Sequence, residues 1–158
     1  MKAQPCRVKI IALGNPLRGD DGLGVHVLQS VNQFISEEIE ILNVGMDCLA
    51  LMDIWEGAEL AVVVDAMKSG SNPGVVKVFD ATENALPSKS FRSTSSHALG
   101  IGEMVELGRV LGRLPKRLVV IGVEGKSFKT GEGISAEIEV GLKQAQVAIL
   151  REVKSCTN

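Results

Sequence analysis

Five side chains in this sequence have the types and placing to do chemistry: Asp20, Asp21, Cys48, Asp65 and His97. Asp20 and Asp21 follow a turn of Gly14, Asn15 and Pro16, where a helix should begin. Asp65 ends the apolar run Leu60–Val64, and His97 closes a Ser-rich stretch. Asp21, Asp65 and His97 all fall at or just past the ends of expected strands. In a mainly parallel sheet such ends share one edge, where ligands bind. Two carboxylates and one imidazole make a borderline-hard seat for a divalent first-row metal. Without a metal, two adjacent carboxylates resist ionising together, which raises one pKa and favours a cation.

Each residue also has a plainer role. Asp20 could be a helix N-cap, with Asp21 a first-turn acid matched to the helix dipole. Asp65 could be a turn residue, and His97 a surface or capping residue. Cys48 with His97 could form a nucleophile–base pair. Cys48 also occupies an apolar helical position, where cysteine behaves as a small buried hydrophobe. His26 lies inside the first helix and reads as a helix-surface or packing residue. Gly14 and Gly19 match the glycine spacing of a P-loop, but acids stand where that motif needs Lys and Ser or Thr. Gly19, Gly22 and Gly24 do not follow the dinucleotide-binding pattern.

The elements that must position these residues alternate. Val8–Leu13 is a near-continuous apolar run, as in a strand buried on both faces. Residues 22–34 repeat Leu23, Val27, Leu28, Val31 and Phe34 at helical spacing. Ile39–Val44 is a second strand, a helix follows from Cys48 to Trp55, and Leu60–Val64 is the third strand. Val75–Phe79 hairpins back after a Gly-Asn-Pro turn, and Thr82–Ser96 reads as a mobile surface loop. A helix from His97 to about Leu111 has Ser95 or Ser96 as its cap. Leu118–Val123 is the last parallel strand, and Ser135 caps a final helix. The expected architecture is α/β: a single three-layer α/β/α domain over residues 1–158. Its twisted sheet is mainly parallel, with one antiparallel strand.

Composition narrows the partners. Of 158 residues, 45% are hydrophobic, 23% are charged, and the net charge is −2. That offers no basic field for nucleic acid and no membrane-surface signature. Tyr is absent and aromatics are 3%, which disfavours base-stacking platforms. No apolar run spans a bilayer. Cys6, Cys48 and Cys156 are scattered without CxxC spacing, indicating neither a disulfide framework nor a thiolate zinc site. A reducing cytoplasm fits best.

The stretch from Gly14 to Gly24 (Gly-Asn-Pro-Leu-Arg-Gly-Asp-Asp-Gly-Leu-Gly), then Val63-Val64-Asp65-Ala66, then Ser95-Ser96-His97, together resemble the hydrogenase maturation proteases. The similarity runs on through Gly122-Val123-Glu124-Gly125 to the last helix. The resemblance implies an endopeptidase that removes a short C-terminal peptide from the precursor of a nickel–iron hydrogenase large subunit after nickel insertion. It implies that Asp21, Asp65 and His97 contact the metal and carry the catalysis, although some members have Glu at the position of Asp21. Nickel would be carried by the substrate rather than held permanently. A water activated by Asp21 or Asp65 is the simplest attacking group, as in an aspartyl-type endopeptidase. The alternative from another class is a non-enzymatic nickel-binding maturation chaperone using the same pocket.

Overall fold

The structure is a computed structural model and describes residues 7–87, 89–91 and 99–158. Five strands form one sheet: β1 (Val8–Leu13), β2 (Glu40–Gly45), β3 (Leu60–Met67), β4 (Val76–Asp80) and β5 (Arg117–Glu124). Their order is β2-β1-β3-β5-β4. β4 runs antiparallel to β5, and the other neighbours are parallel. The expected mainly parallel sheet with one antiparallel strand is therefore present.

Among the described residues four α-helices flank it: α1 (Leu23–Val31), α2 (Leu51–Trp55), α3 (Ile101–Val110) and α4 (Glu139–Thr157). Because strand side chains alternate, β1, β3 and β5 feed two cores. On one face Ile10, Val62, Val64 and Ile121 pack with Leu23 and Val27 of α1 and Ile149 of α4. On the other, Ile11, Val63 and Val120 meet Leu51 and Trp55 of α2 and Met104 and Val105 of α3. This double burial is why the central strands read as unbroken apolar runs.

Several local expectations need correction. β3 continues through Asp65 to Met67, because all three residues pair with Gly122, Val123 and Glu124 of β5. Asp65 thus lies inside a strand rather than after one. Helix α3 begins at Ile101, not at residue 97; Gly100 is its N-cap, and the Glu103 carboxylate accepts the Gly100 N–H at 3.0 Å. Ser95, Ser96 and His97 lie outside the described residues. Residues 82–87 and 89–91 are not a free loop. Leu86 and Phe91 are buried, Phe91 meets Phe79 edge-to-face with centroids 5.7 Å apart, and the Arg109 guanidinium donates to the Ala81, Thr82 and Asn84 carbonyls. Cys156 is disulfide-bonded, which the scattered cysteine spacing did not indicate.

The sheet order places the site. The chain leaves β1 for β2 on one side, then returns across β1 to β3 on the other. The reversal opens a crevice at the carboxyl ends of β1 and β3, where such folds bind ligands.

Candidate active site

Asp21 enters this crevice from a short 3-10 turn, Gly19–Gly22, between β1 and α1. Gly14 makes the approach possible. Its φ is +112°, and a Cβ there would stand 2.0 Å from the Asp21 carbonyl oxygen. The turn folds so tightly that the Asn15 N–H donates to Asp21 Oδ2 at 2.9 Å. Gly24 does the same for the helix: a Cβ would lie 2.9 Å from the Leu13 carbonyl oxygen and 3.4 Å from that of Val64. The start of α1 is thereby set against the ends of β1 and β3, and Asp21 is only 8% exposed.

Asp65 reaches the same crevice from β3. Alternation sends it to the α2–α3 face with Val63 and Met67. Oδ1 accepts the Ala66 N–H at 2.8 Å. Burial, reinforced by the negative charge of Asp21 and opposed by the Ala66 hydrogen bond, pushes its pKa up to about 8. The two acids, far apart in sequence, are therefore electrostatic neighbours. A carboxyl in this setting favours its protonated form at neutral pH.

His97, the third expected member, lies outside the described residues. Among the described residues no three His, Cys, Asp or Glu side chains are grouped to hold a metal ion. Two carboxylates alone leave coordination positions for other ligands.

Cys48 also sits near this crevice, half-buried at the end of the β2 loop. Burial first, and then the charges of Asp65, Asp47 and Glu103, push its thiol up to about 12. A nucleophilic cysteine needs the opposite environment, so the Cys48–His97 pairing lacks an activated thiol.

Two buried acids have roles that the sequence pattern did not reveal. Asp20 is fully buried and points away from Asp21's partners. Its carboxylate accepts the N–H groups of Lys126, Ser127 and Ser135 at 2.7, 3.0 and 2.7 Å, and the Ser135 hydroxyl at 2.9 Å. Burial works to raise its pKa, but these bonds outweigh it and hold the group below the usual value. Ser135 therefore serves Asp20 rather than capping the last helix, which begins with a 3-10 turn, Ala136–Ile138, without a side-chain cap. Glu124, 2% exposed at the end of β5, accepts the N–H groups of Ser69 and Gly70 and the Ser69 hydroxyl. No local signal marks either clasp, because the partners are backbone amides from distant loops.

Comparison with known proteins identifies the family of the chain. The family described as hydrogenase maturation protease, HycI, matches residues 25–152. Hydrogenase 2 maturation protease of Escherichia coli is 24% identical over 151 residues, covering 94% of this chain and 91% of that protein. The hydrogenase expression/formation protein HupD of Bradyrhizobium diazoefficiens is 30% identical over 125 residues, which is 77% of this chain and 64% of HupD's own length. Among solved structures, the hydrogenase maturating endopeptidase HybD from E. coli superposes with a TM-score of 0.77 at 22% identity, covering 94% of this chain and 93% of that one. The [NiFe] hydrogenase maturation protease HybD from Thermococcus kodakarensis gives 0.66 at 26% identity, covering 93% and 98%. With two acids converging at the switch point of the shared fold and a family match over most of its length, the chain belongs to the hydrogenase maturation proteases.

Proposed function

We propose that this protein is the endopeptidase that trims the C-terminal peptide from the nickel-loaded precursor of a nickel–iron hydrogenase large subunit. The observation that carries this reading is the Asp21–Asp65 pair. Two acids share one crevice, and burial with Asp21's charge keeps a proton on Asp65. Such a pair binds a divalent cation in exchange for that proton. With so few protein ligands, the cation is one the substrate brings. Asp21, Asp65 and His97 would contact nickel that still holds substrate ligands, so cleavage waits for metal insertion. A water held against Asp21, or against Asp65 once its proton has left, attacks the scissile carbonyl; the carboxylate takes the water's proton and passes it to the leaving amine as the C–N bond breaks.

Leu17, Met46 and Leu49 are exposed apolar side chains on the loops after β1 and β2. They suit the walls of a peptide groove leading to the pair. Cysteine usage does not set the compartment, since Cys48 is a free thiol and Cys156 is disulfide-bonded; we place the reaction in the cytoplasm as the site of hydrogenase precursor processing. The peptidase family sets aside a purely binding chaperone.

The test follows precursor mass after incubation with purified protein. The wild type shortens a nickel-loaded precursor and leaves a nickel-free one intact. Asp21→Ala, Asp65→Ala and His97→Ala each abolish shortening. Trimming by all three variants, or equal trimming of both precursors, overturns the reading.

A further inference from the structure

A second polar pocket lies just past the end of β3. It encloses about 420 Å³ between Lys68, Ser69 and Gly70 on one side and Lys89 and Ser90 on the other. Lys68 follows the last residue of β3, three positions beyond Asp65. At strand rise that is about 10 Å along the chain.

The walls of this pocket are held in place. The Lys68 N–H donates to the Ser90 carbonyl at 3.0 Å, joining the two sides. The Gly125 N–H donates to the Met67 carbonyl at 3.0 Å, anchoring the strand end below. The buried Glu124 carboxylate accepts two amides and a hydroxyl from Ser69 and Gly70, fixing the turn after Lys68. The hydrogen bonds of that acid go to the turn, it is 2% exposed, and it forms no ion pair with either lysine. Neither ammonium has an ion-pair or hydrogen-bond partner among the described residues. Other cations of the chain do find one, as Lys116 does with Glu59 and Arg113 with Asp53 and Glu56.

We propose that the pocket framed by Lys68 and Lys89 is a subsite for a carboxylate of the peptide that is cut away. This rests on the processing reaction proposed above. The pocket shares the sheet edge with Asp21 and Asp65, at a separation that an extended peptide of about three residues covers. Two ammonium groups without an ion-pair partner among the described residues, with the Ser90 hydroxyl beside them, supply charge and donors for one carboxylate. That carboxylate is either an acidic side chain of the removed peptide or its free C-terminal end. The subsite would set which way the tail lies across the cation seat.

The experiment compares the full-length wild type with Lys68→Gln, Lys89→Gln and the double variant on the nickel-loaded precursor. The double variant should raise KM about three- to tenfold while kcat holds, the size expected of charge pairs near a surface. The KM of the wild type should rise with salt, and that of the double variant should not. Two altered precursors identify the source. One has its tail acids changed to amides; the other has its C-terminus extended by three neutral residues. One of them should raise the wild-type KM equally and leave the double variant unaffected. Unchanged KM in the double variant, or a rise that neither altered precursor reproduces, overturns the subsite. A wild type that never trims overturns the processing reaction itself, so the two failures are distinct.

Discussion

Asp20 and Asp21 are consecutive in the chain and send their carboxylates to different places. Asp20 turns into the β5–α4 loop and accepts four hydrogen bonds from Lys126, Ser127 and Ser135. Asp21 turns into the crevice, accepts one from Asn15, and its negative charge helps push the Asp65 pKa up. The paired acids are one clasp and one site residue. The clasp holds the 3-10 turn on which the site residue stands.

Asp20→Asn should therefore cost stability. An amide keeps one acceptor oxygen but aims an NH2 group at buried N–H donors. Leaving such donors unmet costs about 2–4 kcal/mol. For a domain of this size that lowers Tm by roughly 5–15 °C. The sign of the pH effect follows from a folded pKa below the ordinary 3.8. The ionised clasp contributes above that value and is lost as pH falls through the lower folded one. Thermal melts should show the variant and the wild type converging only in strong acid. Equal Tm at neutral pH would refute the clasp.

Gly14→Ala should harm the site through the backbone. The added methyl would meet the Asp21 carbonyl oxygen at 2.0 Å, and φ of +112° disfavours any L side chain. The turn must open, which moves Asp21 away from Asp65. We expect a loss of about 2 kcal/mol or more in urea unfolding, together with loss of trimming. A folded Gly14→Ala protein with wild-type kcat would show that Asp21 tolerates displacement.

Cys48→Ser should leave processing within about threefold of wild type, since a thiol pushed up to about 12 is not the attacking group. Precursor shortening in the presence of a thiol-alkylating reagent gives the same readout without mutation. Abolished turnover in both would restore the cysteine mechanism.

How much of this was legible in the sequence depends on the range of the interaction. The apolar runs at Val8–Leu13, Leu60–Val64 and Leu118–Val123 announce central strands because burial on both faces leaves no polar positions. The Gly14–Gly24 stretch announces a tight strand-to-helix turn because its glycines are needed locally. The end of β3 was not legible. Asp65 looks like a terminator by polarity, yet pairing with Gly122 carries the strand past it. The roles of Asp20, Ser135 and Glu124 were hidden as well, since each is decided by a loop from another part of the chain. An acid before a helix has the same local appearance whether it caps that helix or clasps a distant loop. The start of α3 at Ile101 was missed for a different reason: the Glu103 carboxylate satisfies the Gly100 N–H, so no Ser cap is required.

Asp65→Asn should give a protein that is more stable and inactive. Burial and the Asp21 charge raise the folded pKa from 3.8 to about 8. Between those two values the folded chain holds a proton that the unfolded chain has released, so this group lowers stability as pH rises across the window. Asparagine resembles the protonated acid and carries no such penalty. The variant should therefore melt above the wild type at pH 8, by about 2 kcal/mol or more, or roughly 4–8 °C. The gap should shrink as pH falls towards 4 and vanish below 3.8, where the wild-type acid is protonated in both states. Precursor trimming should vanish across the whole range, because an amide releases no proton to an arriving cation. A constant gap from pH 4 to 8, or a variant less stable at pH 8, would mean that Asp65 is not held protonated by its surroundings. The pair would then have no stored preference for a cation, and its place in the crevice would need another explanation.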